Sequence, residues 1–235
     1  DRNANDEYKN APDRAWATEG TGLITNWSEF ENYNWPQASE IDYSRFEKVK
    51  EILPDGMGVI GQYGDIFTLV WELMGFETFA FATFEQPDLV EAIFNKVSDL
   101  VIGMFENMVQ FDSVGALWYS DDIAYATGLM IDPGFLKKYF FPCLTKIGDY
   151  AKSKNIPFIY HTDGKLWDVM DDIIMSGVTA LHPIEPKSME FTEVRDKYSD
   201  RLAFCGGIEV DTLARGNNDE IENLRSALPQ AARLL

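Results

Sequence analysis

Two apolar runs, Ile156-Pro157-Phe158-Ile159-Tyr160 and Val178-Thr179-Ala180-Leu181-His182, flank a stretch in which Leu166, Val169, Met170, Ile173 and Ile174 recur before Gly177. Each run is short and bounded by turn residues, the pattern of a buried strand, while the three- and four-residue spacing between them is that of an amphipathic helix. Strand, helix and strand in this order predict a βα unit of a parallel sheet.

The alternation extends in both directions. Upstream, Gly115-Ala116-Leu117-Trp118-Tyr119 reads as a strand, followed by a helix that Asp132-Pro133-Gly134 opens and that runs to about Lys152. Before it, Met57-Gly58-Val59-Ile60-Gly61-Gln62-Tyr63 is an apolar run ending in turn residues. A long helix then starts at Gln86-Pro87-Asp88, with Val90, Ile93, Phe94, Val97, Val101, Met104, Phe105 and Met108 on one stripe. Downstream, a helix around Glu190–Tyr198 leads to the strand Leu202-Ala203-Phe204-Cys205, and a helical stretch begins near Asn218. Residues 1–50 differ: Trp16, Trp27, Phe30, Tyr33, Trp35 and Pro36 sit among polar residues without strand or helix period. They predict an irregular aromatic segment with a short helix near Tyr43–Glu51, laid against a body formed by residues 51–235.

The predicted class is α/β, closed as a (β/α)8 TIM-type barrel or open as a doubly wound sheet. No strand is followed by a G-x-G-x-x-G or P-loop phosphate cradle, which favours the barrel. Five strands are legible, and a full barrel takes about 250 residues, so part of it is expected outside these 235 residues. The first residue is Asp1 rather than Met, as in a processed chain or a piece of a longer one.

Composition narrows the partners. A net charge of −19 repels phosphate backbones and anionic membrane surfaces, so neither nucleic acid nor membrane is expected. Two cysteines, Cys143 and Cys205, do not make a disulfide scaffold, and no apolar run approaches a membrane span. No signal peptide is legible, and the expected setting is the cytoplasm.

In a parallel βα protein the reactive groups lie just past the C-terminal strand ends. Those junctions read Tyr63-Gly64-Asp65, Ser120-Asp121-Asp122, His161-Thr162-Asp163-Gly164, His182-Pro183-Ile184-Glu185 and Gly206-Gly207-Ile208-Glu209. Both histidines of the chain fall there, beside several carboxylates. Plain structural readings stand next to the chemical one: Asp121 and Asp122 suit helix caps, Asp163-Gly164 suits a tight turn, and Glu185 and Glu209 suit a solvated rim. Tyr63 and Trp118 suit a core or a cavity wall, and Cys205 suits a small buried thiol. Imidazoles and carboxylates at a barrel mouth fit either a divalent metal that activates a substrate heteroatom, or carboxylates that hold pyrrole N–H groups beside an acid or base.

At these junctions the chain resembles the uroporphyrinogen decarboxylase superfamily, which contains the decarboxylases of haem biosynthesis and the zinc methyltransferases that work on methylated corrinoid proteins. Gly64-Asp65-Ile66-Phe67-Thr68-Leu69 is similar to its Gly-x-x-x-Thr-Leu segment, Trp118-Tyr119-Ser120-Asp121-Asp122 to the strand entering the active-site turn, and Pro142 to the proline of the next helix. His161-Thr162-Asp163-Gly164 and Gly206-Gly207-Ile208-Glu209 are similar to two further strand ends. The resemblance implies a (β/α)8 barrel with its site at the C-terminal rim.

The decarboxylases' N-terminal pair of arginines has no counterpart, their active-site tyrosine is replaced by Trp71 or Glu72, and no arginine occurs between Arg45 and Arg195. In the methyltransferase branch a His-x-Cys and a later cysteine bind zinc; here His161 keeps the first position and Asp163 replaces the cysteine, while Cys205 lies on an earlier strand. The resemblance therefore implies a methyltransferase-like enzyme moving methyl between a small molecule and a corrinoid carried by a partner protein, with His161 as ligand to zinc. Asp121, Asp122, His161 and Asp163 are the catalytic candidates, and Tyr63, Glu72, His182, Glu185 and Glu209 the substrate-binding ones. Uroporphyrinogen decarboxylation and a non-catalytic binding barrel are the alternatives, and self-association is left open.

Overall fold

A computed structural model describes residues 22–223. Trp16 of the aromatic segment lies outside the described residues. The segment from Gly22 carries α1 (Trp27–Asn32), capped by the Asn26 side chain, a 3-10 turn at Ala38–Glu40 and α2 (Ser44–Ile52). Ile24 is fully buried, and Phe30, Tyr33 and Trp35 lie against the core.

Next come β1 (Val59–Gly64), α3 (Ile66–Met74), α4 (Phe76–Glu85), α5 (Pro87–Met108) and β2 (Val114–Ser120). Two very short strands, β3 (Ala124–Tyr125) and β4 (Gly128–Leu129), form an antiparallel hairpin. Then follow α6 (Pro133–Phe135), α7 (Phe141–Ser153), β5 (Phe158–His161), α8 (Met170–Met175), β6 (Ala180–Ile184), α9 (Phe191–Tyr198), β7 (Ala203–Gly206) and α10 (Val210–Arg215). The helical stretch expected from Asn218 is present through residue 223.

The five long strands form one parallel sheet in the order β1-β2-β5-β6-β7. It is not closed: β1 and β7 are free edges among the described residues. The architecture is thus of the expected βα type, with an incomplete barrel. Leu117, Tyr119, Phe158, Tyr160 and Leu181 are fully buried on one face of the sheet. The opposite face carries Gln62, Trp118, Ile159, Ala180 and Ala203 in one cross-strand row. None of these five is buried. Above that row stand Gly64, Ser120, His161 and His182, at the C-terminal edge. This open face corresponds to the interior of a closed barrel.

The expected stripe of α5 is buried along its whole length, from Val90 to Met108. Residues 66–85, which the sequence reading leaves unassigned, form α3 and α4, broken where Gly75 takes φ 76°. No single helix among the described residues is long and apolar enough to cross a membrane. The bent pair α3–α4 meets that test by length and composition, but it turns by 94° and buries Ile66, Phe67, Val70, Met74, Phe79 and Ala82 in the core.

The single helix expected from Asp132 to Lys152 is interrupted. A π turn at Leu136–Phe140 joins α6 to α7. Pro142 near the start of α7 has no N–H to give to the preceding turn, so the ladder shifts there.

Candidate active site

Close backbone contacts set the strand ends. A Cβ on Gly64 would collide with the Ser120 carbonyl. Glycine therefore lets β1 close on β2, and the Asp65 N–H reaches Ser120 O at 2.6 Å. Asp65 itself takes the left-handed conformation, φ 68°, which Asp tolerates better than most residues. Gly164, at φ 93°, lies against the backbone of Ala124 and Tyr125, and the Lys165 N–H donates to Tyr125 O at 2.9 Å. The β5 turn is thereby pinned to the hairpin that follows β2.

Further bonds cross-link the same ends. Asp121 N–H donates to His161 O at 3.0 Å, Thr162 N–H to His182 O at 2.8 Å, and Ile123 N–H to Thr162 Oγ1 at 3.3 Å. The Tyr160 hydroxyl donates to Asp121 O at 2.9 Å.

Asp121, only 2% exposed, belongs to this framework. Its carboxylate accepts from the Phe67 N–H (2.6 Å), the Thr68 N–H (3.1 Å), the Thr68 hydroxyl (2.8 Å) and the Tyr119 hydroxyl (2.5 Å). It therefore caps α3 from the neighbouring strand. Burial pushes its pKa up to about 7, against the pull of Tyr119, Phe67 and Thr68. Of the two readings of Asp121, the structural cap describes its place; its oxygens are occupied and do not face the open rim.

Asp122 is exposed, and its Oδ1 accepts from the Asp163 N–H at 2.9 Å. Asp122, His161 and Asp163 each offer a donor atom, and these atoms lie within 4.8 Å of one another. Burial raises the Asp163 pKa, as do Asp122 and Glu185, while His161 lowers it. His182 stands beside His161 with the two Nδ1 atoms 2.7 Å apart. The two rings meet edge to edge, their planes 26° apart and centroids 4.9 Å apart, and the Trp118 indole lies 4.8 Å from His182 and 6.0 Å from His161. Burial and the neighbouring His161 lower the His182 pKa.

Asp65 joins this acidic group. Burial raises its pKa, Glu72 and Asp122 raise it further, and His161 lowers it. Asp65 in turn adds to the burial that raises the Tyr63 phenol. Tyr63, Glu72 and Glu185 therefore border the cluster electrostatically.

Glu209 is engaged elsewhere, with Lys187 2.7 Å from its Oε1 and 2.7 Å from Asp211. These two acids, Asp211 first, hold the Lys187 pKa above its ordinary value. Cys205, expected as a buried thiol, is exposed because the last residues of β7 stand at a free sheet edge.

Two further residues belong to the rim. Asp65 carries a sequence signal, an acid directly after a strand-end glycine. Ser120 shares a strand-end junction with Asp121 and Asp122 but is not singled out as a site candidate by the sequence; its Oγ accepts from the Trp118 indole at 3.1 Å and from the Gln62 amide at 3.4 Å.

The fold agrees with the comparisons. The model of the uroporphyrinogen decarboxylase (URO-D) family matches residues 24–232. The chain belongs to that family. Its structure is similar to a methyltransferase from Methanosarcina mazei, with a TM-score of 0.57 and 16% sequence identity over 67% of this chain and 44% of that one. The present chain thus spans less than half the length of that neighbour. No curated protein sequence matches it.

Proposed function

We propose that this chain is a metal-assisted, methyltransferase-like member of the family, moving a methyl group between a small molecule and a corrinoid held by a partner protein. The observation that carries the reading is the convergence of Asp122, His161 and Asp163, from two neighbouring strand ends, with donor atoms within 4.8 Å. One imidazole and two carboxylates are an ordinary donor set for zinc and similar divalent ions. The residues fit a metal: Asp122 and Asp163 supply charge, and His161 supplies nitrogen. Bound there, a divalent ion would act as a Lewis acid that lowers the pKa of a substrate heteroatom.

The chain's own residues would do the rest. Asp65, Glu72 and Glu185 surround the donors with negative charge, which favours a cation and a neutral or cationic substrate over a polyanion. Trp118 and His182 supply flat walls, and Ser120, already accepting two hydrogen bonds, has its hydroxyl proton left to donate. Asp121 acts as a positioning residue, fixing α3 and the turn that carries Asp122. The absence of arginine between Arg45 and Arg195 argues against a polycarboxylate such as uroporphyrinogen, whose charges would need partners. Structural similarity to a methyltransferase supports the same branch.

The test is an assay of the purified chain with free cob(I)alamin and a panel of methanol, methylamines and methylated thiols. Metal-dependent formation of methylcobalamin is expected. Carbon dioxide release from uroporphyrinogen, without methyl transfer, would overturn the assignment.

A further inference from the structure

We propose that His182 is a positioning residue that accepts a hydrogen bond from Nδ1–H of His161, fixing that tautomer and leaving Nε2 of His161 as the nitrogen for a metal. Two ring nitrogens 2.7 Å apart require one N–H and one lone pair. The ligand role decides which ring donates. His161 shares its site with Asp122 and Asp163 and also acts on Asp65. His182 instead lies against the Trp118 indole and the His161 ring. A neutral imidazole that gives its Nε2 lone pair to a cation carries its hydrogen on Nδ1, so with His161 as the ligand His182 presents a lone pair there and carries its own hydrogen on Nε2.

Metal-ligating histidines are commonly oriented in this way by an acceptor on the second nitrogen. Here the acceptor is another imidazole, one strand away in the same cross-strand row. The tilted Trp118 indole packs against its ring, and the Thr162 N–H bond to His182 O fixes its backbone. The direction of the bond therefore rests on the metal reading above.

Two variants separate hydrogen bonding from packing. His182→Phe keeps a ring against Trp118 but has no acceptor, whereas His182→Asn loses the ring and places an amide oxygen near the original Nδ1. Two-bond 1H–15N correlation spectra of the zinc-loaded wild type should show hydrogen on His161 Nδ1 and on His182 Nε2. Zinc affinity, read by competition with a chromogenic chelator, should fall about 10- to 100-fold in His182→Phe and stay close to wild type in His182→Asn.

The reverse protonation, with hydrogen on His182 Nδ1, would overturn the proposal. So would wild-type zinc affinity in His182→Phe. A wild type that takes up no zinc would defeat the metal reading and this proposal with it, whereas zinc uptake with unchanged affinity in His182→Phe defeats this proposal alone.

Discussion

Asp121 and Asp122 are adjacent in sequence and differ in everything that sets their chemistry. The first is sealed beneath the rim and receives four hydrogen bonds; the second is exposed and receives one. Sequence alone gives both the same cap-or-catalyst reading, because the choice depends on where the α3 N-terminus lies, and α3 comes from a different βα unit. The burial of Asp121 has a measurable consequence. Its ordinary value is 3.8, and in the fold it is pushed up to about 7. The unfolded chain therefore loses this proton first as pH rises, so Asp121 lowers stability progressively between about pH 4 and pH 7. Urea-unfolding midpoints should decline more between pH 5 and pH 7.5 in the wild type than in Asp121→Asn. Equal slopes would show that the burial cost is fully offset by the four donors.

Among the elements, the junctions are more informative than the strands themselves. The strands are legible because their apolar runs end in turn residues, and the long α5 because its stripe persists over about five turns of 3.6 residues. The π turn before α7 is not legible, since it follows from how Pro142 disturbs a ladder that otherwise has a continuous apolar pattern. The shift of the third strand from Ile156–Tyr160 to Phe158–His161 has a related origin. Proline offers no ladder N–H, and Pro157 takes part only through its carbonyl, which accepts from the Leu117 N–H at 2.9 Å. At the β1 end, Gly64 permits the approach of β2 on which the position of Asp65 depends. Gly64→Ala should cost about 3 kcal/mol, the upper part of the usual overpacking range. Thermal or urea unfolding checks this. A loss below 1 kcal/mol would mean that the two strands separate easily at that end.

For the whole molecule, the sheet has one face sealed by helices and one face bearing the polar row. Sequence order places both histidines at strand ends, and parallel register then brings them side by side, so their meeting was foreseeable from topology. Their Nδ1 contact and the exclusion of Asp121 from the rim were not, because both depend on side-chain direction. The net charge of −19 has a local expression in Asp65, Glu72, Asp122, Asp163 and Glu185 around a single imidazole pair. Such a gathering of acids is costly unless protons or a cation compensate it. The most direct test is calorimetric titration of zinc into the metal-free chain, compared with Asp122→Asn, His161→Ala and Asp163→Asn. One ion bound per chain by the wild type, with affinity reduced at least tenfold in each variant, is the predicted result. No zinc binding by the wild type, or the same affinity in all four proteins, would contradict it.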